Sequence, residues 1–374
     1  MRGWRRRLIV AVAILCALVL VLGAAFSWTA SQILLVPRHD LNAGGVRVVS
    51  LSPAAGTVTL ERTAASARPG IFGLDWSGGH AFLGPIVSET ATGVTRRLTP
   101  RSGTLRVGQQ VGIDTDVFTG TPEQAYGLAY RDVEVPDPLG PMPAWFVPAA
   151  GSTWVIFVHG IDGNRDGGMR YLPTLHALGL PVLLITYRND VGAPPSSDGL
   201  IHLGGTEWQD LQAAVVWALG RGAARLVLYG VSMGGAIVTR FMRASPLASR
   251  VTRLVLDAPA LDWQSILANQ AARLHLPFMA GPVELVIQFR IGINWGEMNE
   301  IQHAGAFHLP ILLFQGSADP LVPPADSAAF ARAAPGPVHL IQVPGAAHIQ
   351  SWNVDSSAYD AALRAFLGPV AAGR

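Results

Sequence analysis

The sequence predicts an α/β protein built on a mainly parallel sheet, with a small helical cap, preceded by a β-rich N-terminal region and one transmembrane helix. Three patterns carry this expectation. Six apolar runs of strand length alternate with helix-length segments over the last two thirds of the chain. Short runs punctuated by Gly, Pro, Ser and Asn fill the region before them, and an uncharged apolar stretch opens the chain. Half of the 374 residues are hydrophobic and only 14% are charged, which excludes a disordered chain and allows a sizeable core.

Met1 to Arg7 is a basic segment with four arginines, and Leu8 to Phe26 is an uncharged run of 19 residues, enough to cross roughly 30 Å of hydrocarbon. Residues 8–28 therefore read as a retained anchor, with segment 1–7 cytoplasmic and the rest extracytoplasmic. The competing expectation is a cleaved signal peptide using the small residues at 23–27, which would give a secreted protein; the apolar run is longer than a usual signal core. The single cysteine, Cys16, falls in this run, so the exported portion has no thiol and suits an oxidising exterior. Without the four leading arginines, 23 basic residues face 25 acidic ones, which is not a nucleic-acid surface. Every basic residue is Arg, which excludes Ser-Lys dyads and Schiff-base chemistry.

Residues 37–130 read as a small β-rich domain with antiparallel strands at Val46–Leu51, Thr57–Arg62, Ile71–Trp76, Ala81–Val87 and Gly93–Leu98. Asp114 and Asp116 read as solvated strand or turn positions, and a short helix is expected at Pro122–Ala129. Residues 131–370 form the second domain. A strand pair, Val133–Val135 with Ala144–Val147, flanks the turn Pro136–Gly140, and buried strands follow at Trp154–His159, Pro181–Thr186, Arg225–Tyr229, Val251–Leu256, Ile311–Gln315 and His339–Val343. Thr206 and Gln209 match a capping box ahead of the stripe Leu211, Ala214, Val215 and Ala218. The stretch of about 50 residues between Leu256 and Pro310 is too long for a plain connection, so residues 261–308 are expected to form a cap with helices near Ile266–Leu274 and Pro282–Ile293. Phe278, Met279 and Phe289 suit either an acyl-binding lining or core packing.

The strand at Arg225–Tyr229 runs into Gly230-Val231-Ser232-Met233-Gly234 and then a helix-compatible segment. A nucleophile on so sharp a turn has strained backbone angles, and side chains larger than Gly beside it would strike the flanking strand and helix. Ser232 would also stand at a helix N-terminus, which favours a developing anion. His159-Gly160-Ile161-Asp162-Gly163 follows another buried strand, Asp319 follows Ile311–Phe314 within Gly316-Ser317-Ala318-Asp319-Pro320-Leu321-Val322-Pro323, and His348 follows the last strand.

On these motifs, residues 131–367 resemble the α/β-hydrolases of the serine-hydrolase superfamily, whose chain order is Ser, acid, His. Pro136–Pro148, Tyr187-Arg188-Asn189-Asp190 and Gly345–Asp355 look more specifically like membrane-anchored actinobacterial members. The resemblance implies a triad of Ser232, Asp319 and His348 and an oxyanion hole from the Ile161 and Met233 amides. Asp257, at the preceding strand end, is the competing acid. His159 is expected to hold its loop, and Arg188 with Asp190 either to pair at the entrance or to bind a polar substrate group. Trp208, Trp263, Trp295 and Trp352 read mainly as packing.

The activity implied is acyl-enzyme hydrolysis of carboxylic esters, lipid-like ones included, at the outer face of the membrane. A peptidase or amidase, an acyltransferase and a non-catalytic envelope protein are the alternatives. No cofactor and no metal are expected, because the histidines lack paired ligand spacing; the expected partners are an acyl substrate and the membrane.

Overall fold

The computed structural model describes residues 2–38 and 45–371, without the side chains of residues 2, 3 and 5. Met1, the Arg2 and Arg5 side chains of the basic segment, and residues 39–44 of the β-rich region lie outside the described residues. The first helix, α1 (Arg2–Leu35), is long and apolar enough over Arg6–Leu35 to cross a membrane. Its outer part does not stand free. Phe26, Ser27, Ala30, Ser31, Leu34 and Leu35 recur at helical spacing on one face, and this face packs on the main body, with Leu35 wholly buried. The sequence predicts an anchor that ends at residue 28, so the helix runs seven residues farther than expected.

Six antiparallel strands then close a barrel: β1 (Val46–Ser52), β2 (Thr57–Glu61), β3 (Phe72–Trp76), β4 (Gly79–Glu89), β5 (Gly93–Ser102) and β6 (Gln110–Asp114), in the order β1-β2-β5-β4-β3-β6. Alternation drives the closure: Val46, Val48, Val58, Leu60, Phe72, Leu74, Leu83 and Val111 fill the interior. The sixth strand was not expected, because it buries only Val111. A short helix, α2 (Pro122–Tyr126), leads out with a capping box between Thr121 and Gln124.

The second body is an eight-stranded sheet of β7 (Arg131–Val135), β8 (Met142–Val147), β9 (Thr153–Val158), β10 (Val182–Ile185), β11 (Arg225–Val231), β12 (Val251–Asp257), β13 (Ile311–Gly316) and β14 (Val338–Val343). Their order is β14-β13-β12-β11-β9-β10-β8-β7; β8 is antiparallel to both of its neighbours, β7 and β10, and every other neighbouring pair is parallel. Strands β9, β10 and β13 are buried on every residue because helices cover both faces. Those helices are α3 (Leu172–Ala177), α4 (Trp208–Leu219), α5 (Met233–Ala244), α6 (Trp263–Arg273), α7 (Ala280–Ile291), α8 (Pro324–Ala333), α9 (Ser351–Val354) and α10 (Ser356–Ala371), with α6 and α7 in the insertion.

The expected cap of α4 is absent. Its N-cap is Glu207, and the Thr206 hydroxyl has no partner. The Glu207 carboxylate instead accepts the backbone N–H groups of His202, Gly204 and Thr206 at 2.6, 3.0 and 3.2 Å, fixing the turn ahead of the helix.

Candidate active site

Ser232 occupies the turn between β11 and α5 with φ 54° and ψ −119°, a strained conformation for an L residue. Three backbone bonds over-determine it: its N–H donates to Asp257 O at 3.0 Å, and its carbonyl accepts from Gly235 at 2.9 Å and Ala260 at 3.0 Å. The flanking glycines are sterically required. A Cβ on Gly230 would lie 2.5 Å from the Gly234 carbonyl oxygen, and one on Gly234 would lie 2.1 Å from that of Val158.

The Ser232 Oγ lies 2.8 Å from His348 Nε2, and His348 Nδ1 lies 2.8 Å from Asp319 Oδ2. With Nδ1 protonated and donating to Asp319, Nε2 presents a lone pair to the hydroxyl, the tautomer a general base needs. Asp319 is held by further donors: Gln315 Nε2 at 3.1 Å on Oδ2, and the Leu321 and Val322 amides at 2.8 and 3.0 Å on Oδ1. Gln315 is fixed in turn by Ser327 Oγ at 2.8 Å. Gln315 and Ser327 were missed from sequence, since the first reads as an ordinary strand residue and the second as part of a helix twelve positions away.

Gly160 abuts Ser232, a Cβ there falling 3.0 Å from Ser232 Cβ. Its carbonyl accepts from Tyr187 OH at 2.8 Å and from His159 Nδ1 at 2.8 Å. Because the peptide is planar and trans, pinning that carbonyl turns the Ile161 N–H of the same peptide the opposite way. Met233 is the first residue of α5, so its N–H has no acceptor in a preceding turn.

His159 is buried and stacked on Tyr187 at 4.3 Å between ring centroids. Its Nε2 lies 2.8 Å from Asp190 Oδ2, which also accepts the Tyr187 N–H at 2.7 Å. Burial opposes a charge on this ring, but Asp190 and the Gly160 carbonyl outweigh it and hold its pKa above the ordinary histidine value. Both ring nitrogens face acceptors, the Gly160 carbonyl and the Asp190 carboxylate, which is the loop-holding arrangement expected from sequence.

Other expectations are corrected by the structure. Arg188 does not pair with Asp190; its Nε and Nη2 contact the Asp210 oxygens at 2.9 and 2.6 Å, and its backbone N–H donates to the same carboxylate. Asp257 is fully buried, accepting from Tyr359 OH at 3.1 Å and Tyr171 OH at 3.4 Å. Burial, partly offset by Arg170, pushes its pKa up to about 6. Asp114 is exposed as expected, while Asp116 keeps 35% of its side chain exposed and in addition meets the buried Arg170 at 3.2 Å. Arg170 also donates to Asn353 Oδ1 at 2.8 Å, and Asn353 Nδ2 donates to the Ile71 and Thr115 carbonyls at 2.8 and 2.9 Å, joining the barrel to the segment that follows His348. Phe278 and Phe289 are exposed, neither core nor lining, whereas Met279 is buried. Trp263 and Trp352 are buried and donate to Leu203 O and Asp360, and Trp208 and Trp295 pack half-buried on the core. Among the described residues no group of three His, Cys, Asp or Glu could hold a metal ion.

This sheet order, with a nucleophile-type turn after β11 and partners after β13 and β14, is the fold of the α/β-hydrolase superfamily. The chain belongs to the family of the uncharacterized protein Rv2307c of Mycobacterium tuberculosis, with which it is 30% identical over 248 residues, 64% of this chain and 79% of that protein. YfhR of Salmonella typhimurium, also uncharacterized, is 25% identical over 260 residues, 64% of this chain and 80% of that one. Among solved structures, the Pyrococcus furiosus esterase Pf2001 superposes with a TM-score of 0.54 at 20% identity, over 67% of this chain and 94% of that one, a likeness of fold alone. Residues 47–114, the barrel, match a domain of unknown function, DUF8805.

Proposed function

We propose that the protein is a membrane-anchored serine hydrolase that cleaves carboxylic esters through an acyl-enzyme. The observation that carries this reading is the hydrogen-bonded line Ser232–His348–Asp319 running beside the Gly160–Ile161 peptide. His348 Nε2 takes the hydroxyl proton as Ser232 Oγ attacks the acyl carbon, and Asp319 keeps the tautomer and stabilises the imidazolium. The carbonyl oxygen gains negative charge against the Ile161 and Met233 N–H groups. His348 then protonates the departing alkoxide; water, deprotonated by the same ring, attacks the acyl-enzyme and releases the acid.

The esterase named among the structural neighbours supports an ester substrate, and the apolar span of α1 behind four arginines supports an anchor with the catalytic body outside. The test is labelling of the full-length chain by a fluorophosphonate probe, followed by comparison of p-nitrophenyl acyl esters with aminoacyl naphthylamides. Labelling lost in Ser232→Ala together with preferential ester turnover is the expected result. An unlabelled Ser232 overturns the mechanism, and faster naphthylamide turnover replaces the esterase reading by an amidase one.

A further inference from the structure

We propose that the outward face of the cap, from Leu274 to Phe289, docks on the outer leaflet beside α1, so that the active site opens at the bilayer surface and draws its acyl ester from it. The inference deepens the anchored-hydrolase reading above and rests on it.

The cap presents side chains that water disfavours. Phe289 is 87% exposed, Phe278 70%, Leu285 69% and Leu274 61%, and no other phenylalanine among the described residues is exposed. Leu285 and Phe289 lie one turn apart on α7, opposite its buried Val283, Ile287 and Ile291, and Phe278 is exposed in the short 3-10 turn that leads into the helix. Between Leu274 and Gly292 the formal charges are Glu284 and Arg290, and neither is unpartnered: Glu284 accepts from Gln264 at 2.6 Å and Arg290 is bound to α1. The exposed Arg273 and His275 border the patch at Leu274, and from Phe278 to Phe289 it carries no unpartnered formal charge, as at an interaction surface.

The occupant follows from what adjoins the patch. Hydrocarbon about 30 Å thick takes up roughly 20 helical residues, or Leu8 to Ser27 of α1. Trp28 to Leu35 then rise about 12 Å beyond it, and the headgroup layer, about 5–7 Å thick on each side, takes up the first part of that rise, roughly Trp28 to Gln32. Here α7 packs on α1: Arg290 donates to Ser31 Oγ at 2.8 Å and Gln32 Oε1 at 3.0 Å and stacks over the half-exposed Trp28 ring at 4.5 Å. A tryptophan at this depth fits the aromatic belt of a membrane interface. The cap helix is thus held at headgroup level by the helix that enters the bilayer, and its unpartnered apolar residues have lipid as their nearest apolar phase. Three residues past the end of α1, the Arg38 N–H donates to Asp162 Oδ1 at 2.8 Å, next to Ile161 of the oxyanion loop. Anchor, cap and catalytic loop therefore lie on one side of the molecule.

The test uses the full chain with Cys16→Ser, reconstituted in vesicles of phosphatidylethanolamine and phosphatidylglycerol, carrying an environment-sensitive fluorophore on one introduced thiol. At Phe289→Cys and Phe278→Cys the fluorophore is expected to shift to the blue and to be quenched by spin-labelled lipid. At Arg225→Cys, exposed where β11 starts and a strand's length from Ser232, it does neither. The triple variant Phe278→Ser, Leu285→Ser, Phe289→Ser should hydrolyse a short soluble p-nitrophenyl ester within about twofold of the parent and a bilayer-embedded long-chain ester at least about tenfold more slowly. A fluorophore at 289 that behaves like the one at 225, or equal retention of both activities by the triple variant, overturns the docking proposal. Quenching at 289 without hydrolysis of either ester overturns the hydrolase reading and leaves the docking standing.

Discussion

Two histidine–aspartate pairs stand on either side of Ser232, both at 2.8 Å, in the loops after β9 and β10 on one side and after β13 and β14 on the other. What separates them is the atom facing the second ring nitrogen. In His348 that nitrogen meets the Ser232 hydroxyl, a group that can give up a proton; in His159 it meets the Gly160 carbonyl, which can only accept. The first pair can shuttle a proton, whereas the second has an acceptor on each ring nitrogen and no group to take a proton from, and serves as a brace. A His–Asp dyad by itself therefore does not mark a general base.

The widest separation of the two pairs is expected between His348→Ala, which should lower kcat by on the order of 10⁶, and His159→Gln. Since the His159 ring contacts the peptide proposed as one oxyanion donor only at the Gly160 carbonyl, its loss should cost no more than a missing oxyanion donor, roughly 10² to 10³. Equal losses in steady-state kinetics would erase the distinction. Asp319→Asn should lower kcat by about 10⁴ with folding intact, while Asp257→Asn stays within about tenfold of the parent. The reverse ranking would move the acid to β12.

Stability against pH sharpens the contrast in another way. Asp257 has a folded pKa of about 6, above its ordinary 3.8, so its contribution is fully present below pH 3.8 and lost as pH rises through 6. Replacement by Asn should remove a loss on the order of 2–3 kcal/mol across that window, read from denaturant midpoints at pH 4 and pH 7. For His159, whose folded value is raised, the contribution is full below about 6.5 and falls above it, so His159→Gln should flatten the alkaline decline. The smallest effect is expected from Tyr187→Phe, which removes one of the two donors on the Gly160 carbonyl and should reduce kcat by about tenfold or less without shifting its pH profile.

Much of the site is legible because it rests on local demands. Glycines at 230 and 234 are dictated by backbone contact, and a nucleophile between them at a strand–helix turn leaves a motif that survives without any neighbour. Groups that act through space leave none. Arg188 finds Asp210 twenty-two residues on, passing over the nearer Asp190, which His159 has taken. The misassigned capping box has a similar cause: Thr206 has the right spacing to Gln209, but Glu207 captures the backbone donors first. The strand at Gln110–Asp114 is too polar to stand out and is defined by its pairing with β1 and β3. The orientation of Phe278 and Phe289 was open because an apolar residue looks the same in sequence whether it faces a core, a substrate or lipid.

The docking of α1 bears on how the chain can be shortened. Ile201 donates its N–H to the Leu35 carbonyl at 2.8 Å, Arg290 depends on Ser31 and Gln32, and Leu35 is part of the main core. A fragment starting after residue 38 would amount to a large-to-small core substitution with broken hydrogen bonds added, costing about 2–5 kcal/mol for the leucine alone. Cleavage near Ala25 would leave those contacts in place. The natural place to cut is inside the helix, between its exposed apolar part and the part packed on the main body, and not in the linker that follows it.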